Sequence, residues 1–148
     1  MDKLIATGLG IGYIPKGGGT VASVACCLVW YWLAPGDSSF FAPFLITGLV
    51  TAIGIWSADS VEEQWGKDSY RVVIDEIAGM CLSLLFIPIH EKSLLAGLLL
   101  FRLFDISKPF GIRKLEKVSG GWGVMLDDLL AGLYTNLLLR AALLAGLL

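Results

Sequence analysis

The chain is expected to be all-α: an integral membrane helical bundle of about five helices, with acidic motifs at the cytoplasmic helix ends. Three observations carry that expectation. Hydrophobic residues make up 56% of the 148 and charged residues only 16%, against about 25% charged in an average soluble domain. The mean hydropathy is +0.76, and apolar runs of helical length recur between short polar or proline-bearing stretches. Finally, the lysines and arginines crowd onto one set of alternate loops.

The opening, Met1-Asp2-Lys3-Leu4, leads into a glycine-rich stretch instead of the charged, apolar and cleavage regions of a signal peptide. Residues 4–14 are expected to enter the membrane interface without crossing it, and the first full helix would serve as the insertion signal. That helix covers 20–34, after Gly17-Gly18-Gly19-Thr20, and stops at the turn Ala34-Pro35-Gly36-Asp37. A second apolar run, 40–58, has about the length that spans a bilayer core, and the polar stretch 59–71 follows it. The third helix is expected over 72–87, stopped by Pro88; the fourth over 93–107, stopped by Pro109; the fifth from Asp127 to the C-terminus. The first and fourth are shorter than the roughly 20 residues a full crossing needs, so they would tilt or be lengthened by their flanks. With neither repeat nor low-complexity segment, residues 1–148 read as a single domain.

Alternating five spans puts Lys3, Lys16, Lys67, Arg71, Lys108, Arg113, Lys114 and Lys117 on one side and leaves only Lys92 on the other. The rich side is then cytoplasmic. Trp30, Tyr31 and Trp32 fall near the outer end of the first helix and Trp56 near the inner end of the second, where aromatic belts lie. A net charge of -2 gives no case for nucleic-acid binding. Cys26, Cys27 and Cys81 sit in apolar runs without metal-site spacing and read as small buried hydrophobes. His90, the single histidine, falls in a loop on the outer side and reads as a surface residue.

Against this background the acids stand out. Asp75-Glu76, Asp105 and Asp127-Asp128 all fall at cytoplasmic helix ends. A carboxylate beside an apolar helix is costly unless a metal, a cation or a substrate compensates it. Each group alone has an ordinary reading: an interfacial pair, an Arg102–Asp105 salt bridge, an acidic helix start. Three on one membrane face are better explained together, as a site for a hard cation and a phosphate. Magnesium takes oxygen ligands and often shares them with substrate phosphates. Arg102, Asp105 and Lys108, spaced i, i+3, i+6, would share a helix face, and arginine and lysine are the natural grips on phosphate. The glycine-rich approach to the first helix fits either phosphate contact at a helix start or close helix packing.

These segments resemble those of the bacterial phosphatidylglycerophosphatase A family. The matching residues run from the glycine-rich opening through Gly19-Thr20-Val21-Ala22-Ser23, to Asp75-Glu76-Ile77-Ala78-Gly79, Arg102-Leu103-Phe104-Asp105-Ile106-Ser107-Lys108-Pro109, and Gly120 through Asp127-Asp128 to Gly132. They cover nearly the whole chain in order. Two departures are visible: Gly18 stands where the family has proline before Gly-Thr, and Gly111 stands for the second proline of its Lys-Pro-x-Pro segment. The resemblance implies Mg²⁺-dependent removal of the terminal phosphate of phosphatidylglycerophosphate, giving phosphatidylglycerol at the bacterial inner membrane, with a cytoplasm-facing site in a multi-pass protein. In that scheme Asp75, Glu76, Asp105, Asp127 and Asp128 hold the metal and carry the catalysis. Arg102 and Lys108 clamp phosphate, with Thr20 and Ser23 as hydroxyl contacts.

Other phosphatase chemistries are excluded: there is no Cys-x5-Arg loop, no second histidine and no Asp-x-Asp pair. A CDP-alcohol phospholipid transferase would need an acidic pattern that the chain lacks. A small cation transporter would explain Arg140 in the last helix, but its acids belong at the midplane and in inverted repeats.

Overall fold

The computed structural model describes residues 1–33, 41–67, 69–115 and 117–148. Among these there are seven α-helices and no strand. They are α1 (Asp2–Ala6), α2 (Gly18–Leu33), α3 (Phe41–Trp65), α4 (Ile74–Leu84), α5 (Glu91–Ser107), α6 (Ile112–Leu115) and α7 (Gly121–Leu144), with a single 3-10 turn at Ile11–Tyr13. The five expected helices correspond to α2, α3, α4, α5 and α7. The Ala34-Pro35-Gly36-Asp37 turn and Phe40 lie outside the described residues.

Boundaries differ from the sequence expectation for physical reasons. α3 runs seven residues past Ala58 because Val61, on the face of Ala58, is still fully buried; the polar stretch supplies the exposed side of those turns. α4 is shorter than 72–87. Asn136 of α7 donates through Nδ2 to the carbonyls of Leu82, Ser83 and Leu85 (3.2, 3.0 and 2.9 Å), which ends the helix. Arg140 donates through Nε to Asn136 Oδ1 (2.7 Å) and through an Nη to the Leu85 carbonyl (3.1 Å). This is the role of the arginine deep in the last helix. His90 is half-buried instead of a surface residue. It caps α5, with Nδ1 accepting from the Ser93 amide while the Ser93 hydroxyl accepts from the His90 amide.

α7 opens six residues before Asp127. Gly121 lies so close to α3 that a Cβ would collide with the Ile55 carbonyl, and its amide donates to Asp59 Oδ1 at 3.1 Å. Asp127 and Asp128 therefore sit in the second and third turns, not at the start. Residues 4–14 form part of α1 and the 3-10 turn. They pack on the start of α4, the Val73 amide donating to the Ala6 carbonyl.

α4 is the hub, in contact with α2, α3, α5 and α7. One core joins Met80, Leu84, Phe101 and Leu139 from α4, α5 and α7. A second joins Ala6, Ala58, Val61 and Met125 from α1, α3 and α7. The outside is apolar as well: Leu28, Leu49, Leu99 and Leu137 are all more than half exposed. α3 is the one described helix long and apolar enough to cross a membrane; its 25 residues extend about 37 Å at 1.5 Å each. α7 is nearly as long but carries Asp127, Asp128 and Arg140.

Candidate active site

A cavity of about 260 Å³ opens at the end of the bundle where α2, α4 and α7 begin and α5 finishes. Asp75, Glu76, Asp105, Asp127, Asp128, Arg102 and Lys108 all line it, together with Gly17, Gly18 and Gly19. The structure thus brings five acids and two cations from three distant segments to one place.

The crossing of α4 and α7 sets the geometry. A Cβ on Gly132 would collide with the Gly79 carbonyl. One on Gly79 would stand 2.6 Å from the Asp128 carbonyl and 2.6 Å from the Phe101 ring. The two helices touch backbone to backbone, as small residues allow. Asp75 precedes Gly79 by four residues and Asp128 precedes Gly132 by four, so each carboxylate lies one turn before the contact, on the same face. The repeated Asp-x-x-Ala-Gly spacing is a sequence signal of that arrangement. Oxygens of Asp75, Glu76 and Asp128 lie within 4.8 Å of one another.

Burial makes this cluster costly. Asp75 is 9% exposed and Asp128 4%. Two like charges about 4 Å apart repel by roughly 4 kcal/mol at an effective dielectric of about 20. Asp75 Oδ1 and Glu76 Oε2 are buried with no hydrogen-bond partner, as is Arg102 Nε. Partial compensation comes from the cations. Arg102 Nη1 donates to Asp105 Oδ2 at 2.5 Å and stands 3.8 Å from Glu76 Oε1. Lys108 Nζ donates to Asp127 Oδ2 at 2.6 Å. Asp127 Oδ1 also accepts the Asp128 amide, at 3.1 Å. Five carboxylates still face two cations.

The turn after α5 aims Lys108. Its backbone is left-handed (φ 45°), as is that of Phe110 (φ 51°), and Gly111 follows at φ 92°. Non-glycine residues are held there only when their surroundings impose it, and here the imposed turn carries an ion-paired lysine. A proline at 111 could not adopt that φ, so the glycine departure has a local cause. Gly18 is the first residue of α2, a position that accepts either glycine or proline.

Thr20 and Ser23 do not line the cavity. Thr20 is exposed in the first turn of α2. Ser23 is fully buried, its hydroxyl donated to the Gly19 carbonyl at 2.9 Å. Ser69 and Tyr70, at the end of the polar loop, do line it; their only sequence signal was a place on the same side of the bundle as the acids.

The donor set is all oxygen, and two of the oxygens lack partners, which fits a hard divalent cation. Beside it, Arg102 and Lys108 could hold an anion. The family model described as phosphatidylglycerophosphatase A matches residues 4–143. A Bacteroides thetaiotaomicron protein provisionally named a phosphatidylinositol-3-phosphatase is 40% identical, over 96% of this chain and 93% of its own. The phosphatidylglycerophosphatase A proteins of Escherichia coli K12 and Haemophilus influenzae are each 34% identical. The first alignment covers 87% of this chain and 76% of the relative, the second 93% and 86%. No solved structure matches the chain. With the family's model spanning almost its whole length and its named members at this identity, the chain belongs to the phosphatidylglycerophosphatase A family, a family of phosphatases.

Proposed function

We propose that this protein hydrolyses the terminal phosphate of phosphatidylglycerophosphate, yielding phosphatidylglycerol and inorganic phosphate in phospholipid synthesis, with Mg²⁺ held at the acid cluster. The observation that carries the reading is the convergence of Asp75, Glu76 and Asp128 within 4.8 Å, two of their oxygens unpartnered, in the cavity that Arg102 and Lys108 share. A cavity with an excess of carboxylates repels a phosphomonoester unless a cation intervenes, so the residues present suit the metal as well as the substrate.

Asp75, Glu76 and Asp128 would hold the ion, with Asp105 and Asp127 in reach as further ligands or as the base. Such an ion would supply charge neutralisation for the transferring phosphoryl group and a more acidic water. The protein's own part is positioning. Asp105 fixes the Arg102 guanidinium beside Glu76, ready for bidentate contact with phosphate oxygens. Lys108 supplies a point charge opposite Asp127. Burial keeps the dielectric low, which strengthens each of these contacts at the moment charge shifts.

The reading places the protein in a bacterial inner membrane as a multi-pass bundle of about five spans, α2, α3, α4, α5 and α7, with the cavity facing the cytoplasm. It is supported by the apolar exterior and by the cationic loops at the cavity end. A second substrate has one specific argument in its favour: the relative at 40% identity is named for a phosphatidylinositol phosphate. Phosphate release from both lipids by detergent-purified protein, with Mg²⁺ and with EDTA, separates the two. Release should need the metal and favour phosphatidylglycerophosphate. Asp128→Asn should lower it by roughly 100-fold or more, since even outer-shell partners of a metal are worth about 10- to 100-fold. Folded protein that releases phosphate from neither lipid would overturn the reading and turn attention to cation transport.

A further inference from the structure

Two apolar cavities flank α2, and they differ in their relation to the acid site. The larger, about 410 Å³, lies between α1, α2, α3 and α4. It is walled off from the acids by the α1–α2 connection packed on residues 71–73. A Cβ at Gly12 would run into the Arg71 carbonyl, and one at Gly18 would already touch Ile11 and Val73 at 3.5 and 3.6 Å. The smaller, about 360 Å³, is a cleft between α2 and α5 lined by Val24, Leu28 and Tyr31 on one side and Leu94, Leu95 and Leu98 on the other.

Helical register joins this second cleft to the active site. Along α2 the stripe Tyr31, Leu28, Val24 continues to Thr20 in the first turn, and Gly17, just before the helix, lines the acid cavity. Along α5 the stripe Leu94, Leu98 continues through Arg102 to Asp105, both of which line it too. These steps of three and four residues keep one face of each helix. Thr20 is exposed, so the cleft is not closed over at that level. Seven residues separate Leu98 from Asp105, about 10 Å along the α5 axis. The cleft's rim is itself lipid-like, with Leu28 56% and Leu95 59% exposed.

We propose that the α2–α5 cleft seats an acyl chain of the lipid substrate, so that the lipid reaches the acids sideways from the bilayer between these two helices. This rests on the lipid-phosphatase reading and adds the route and the subsite. Between its terminal phosphate and its acyl esters, a phosphatidylglycerophosphate molecule carries two glycerol units joined by a phosphodiester. The 10 Å or so between cavity and cleft accommodates those units past Thr20. Because lipid tails are as apolar as leucine, the cleft contributes orientation more than affinity. An anchored chain presents the phosphate to Arg102 and the acid cluster in one pose.

The test is photocrosslinking in phosphatidylcholine vesicles that contain a minor fraction of a non-hydrolysable phosphonate analogue of phosphatidylglycerophosphate, with Mg²⁺ present. A benzophenone amino acid is introduced as Leu98→p-benzoylphenylalanine, and separately at Val24 on the facing helix in case the first variant misfolds. Val29, in the larger groove, is the control. Adducts are identified by mass. The expected result is enrichment of the phosphonate lipid several-fold above its share of the bilayer at 98 and 24, with bilayer composition at 29. Bilayer composition at 98 and 24, or equal enrichment at 29, overturns the cleft. Phosphate release by the unaltered protein is measured in parallel, in vesicles containing phosphatidylglycerophosphate itself. Release without enrichment sinks the cleft alone, whereas no release sinks the phosphatase reading on which it rests.

Discussion

At Gly19 the α2 backbone runs so close to α4 that an added Cβ would collide with the Glu76 carboxylate. The obstacle is the flexible end of a side chain, so the fold can yield where the site cannot. Replacing a helical glycine with alanine gains roughly 0.5–1 kcal/mol. The displaced carboxylate, however, moves away from Asp75 and Asp128. Gly19→Ala is therefore expected to keep or raise the Tm while lowering Mg²⁺-dependent phosphate release by about tenfold or more. Full activity in this variant would mean that Glu76 is not a ligand. At this scale the sequence was most informative: all five acids and both cations singled out by residue type line one cavity. Thr20 and Ser23 were singled out by position in a motif, and motif position does not say which way a hydroxyl points; Ser23 spends its proton on its own helix.

Between elements, the C-terminal end of α4 is finished by α7. Asn136 satisfies three carbonyls that would otherwise end a helix in apolar surroundings, and Arg140 holds its amide oxygen. Asn136→Leu should cost about 1–3 kcal/mol by leaving buried carbonyls unpaired, read as a lower Tm in detergent. Activity below that Tm should be little changed, because the acids lie at the other end of the helix; a large loss would tie the cap to the site. This contact could not be read from the chain, since an asparagine 54 residues from its partner has no local pattern. The early start of α7 escaped for the same reason: its cap, Asp59, belongs to α3. Helix existence followed from local apolar runs, whereas helix ends depended on residues far away in sequence.

For the molecule as a whole, Arg102 and Lys108 compensate the acid cluster only in part, and a bound divalent cation would complete the balance. Any ligand that binds only the folded state stabilises it, by about 2.7 kcal/mol at a hundredfold excess over Kd. Added Mg²⁺ should raise the Tm of the detergent-solubilised protein and EDTA should lower it, with the difference reduced or lost in Asp128→Asn. An identical shift in that variant would place the ion elsewhere. The apolar exterior was legible from composition alone. The cleft on the α2–α5 face was not, because a gap is a property of two helices and neither sequence shows it.

The backbone contact of Gly79 with Gly132 also says how freely the chain can vary. A library of variants screened for function should return only glycine at these two positions, where even a methyl group would push the helices apart and spread Asp75 from Asp128. A single helix-width away, the outward leucines at 99 and 137 should accept nearly any apolar residue. The molecule's tolerance to mutation is thus graded from the centre outward: greatest on its apolar exterior, and least at two positions that carry no chemistry of their own.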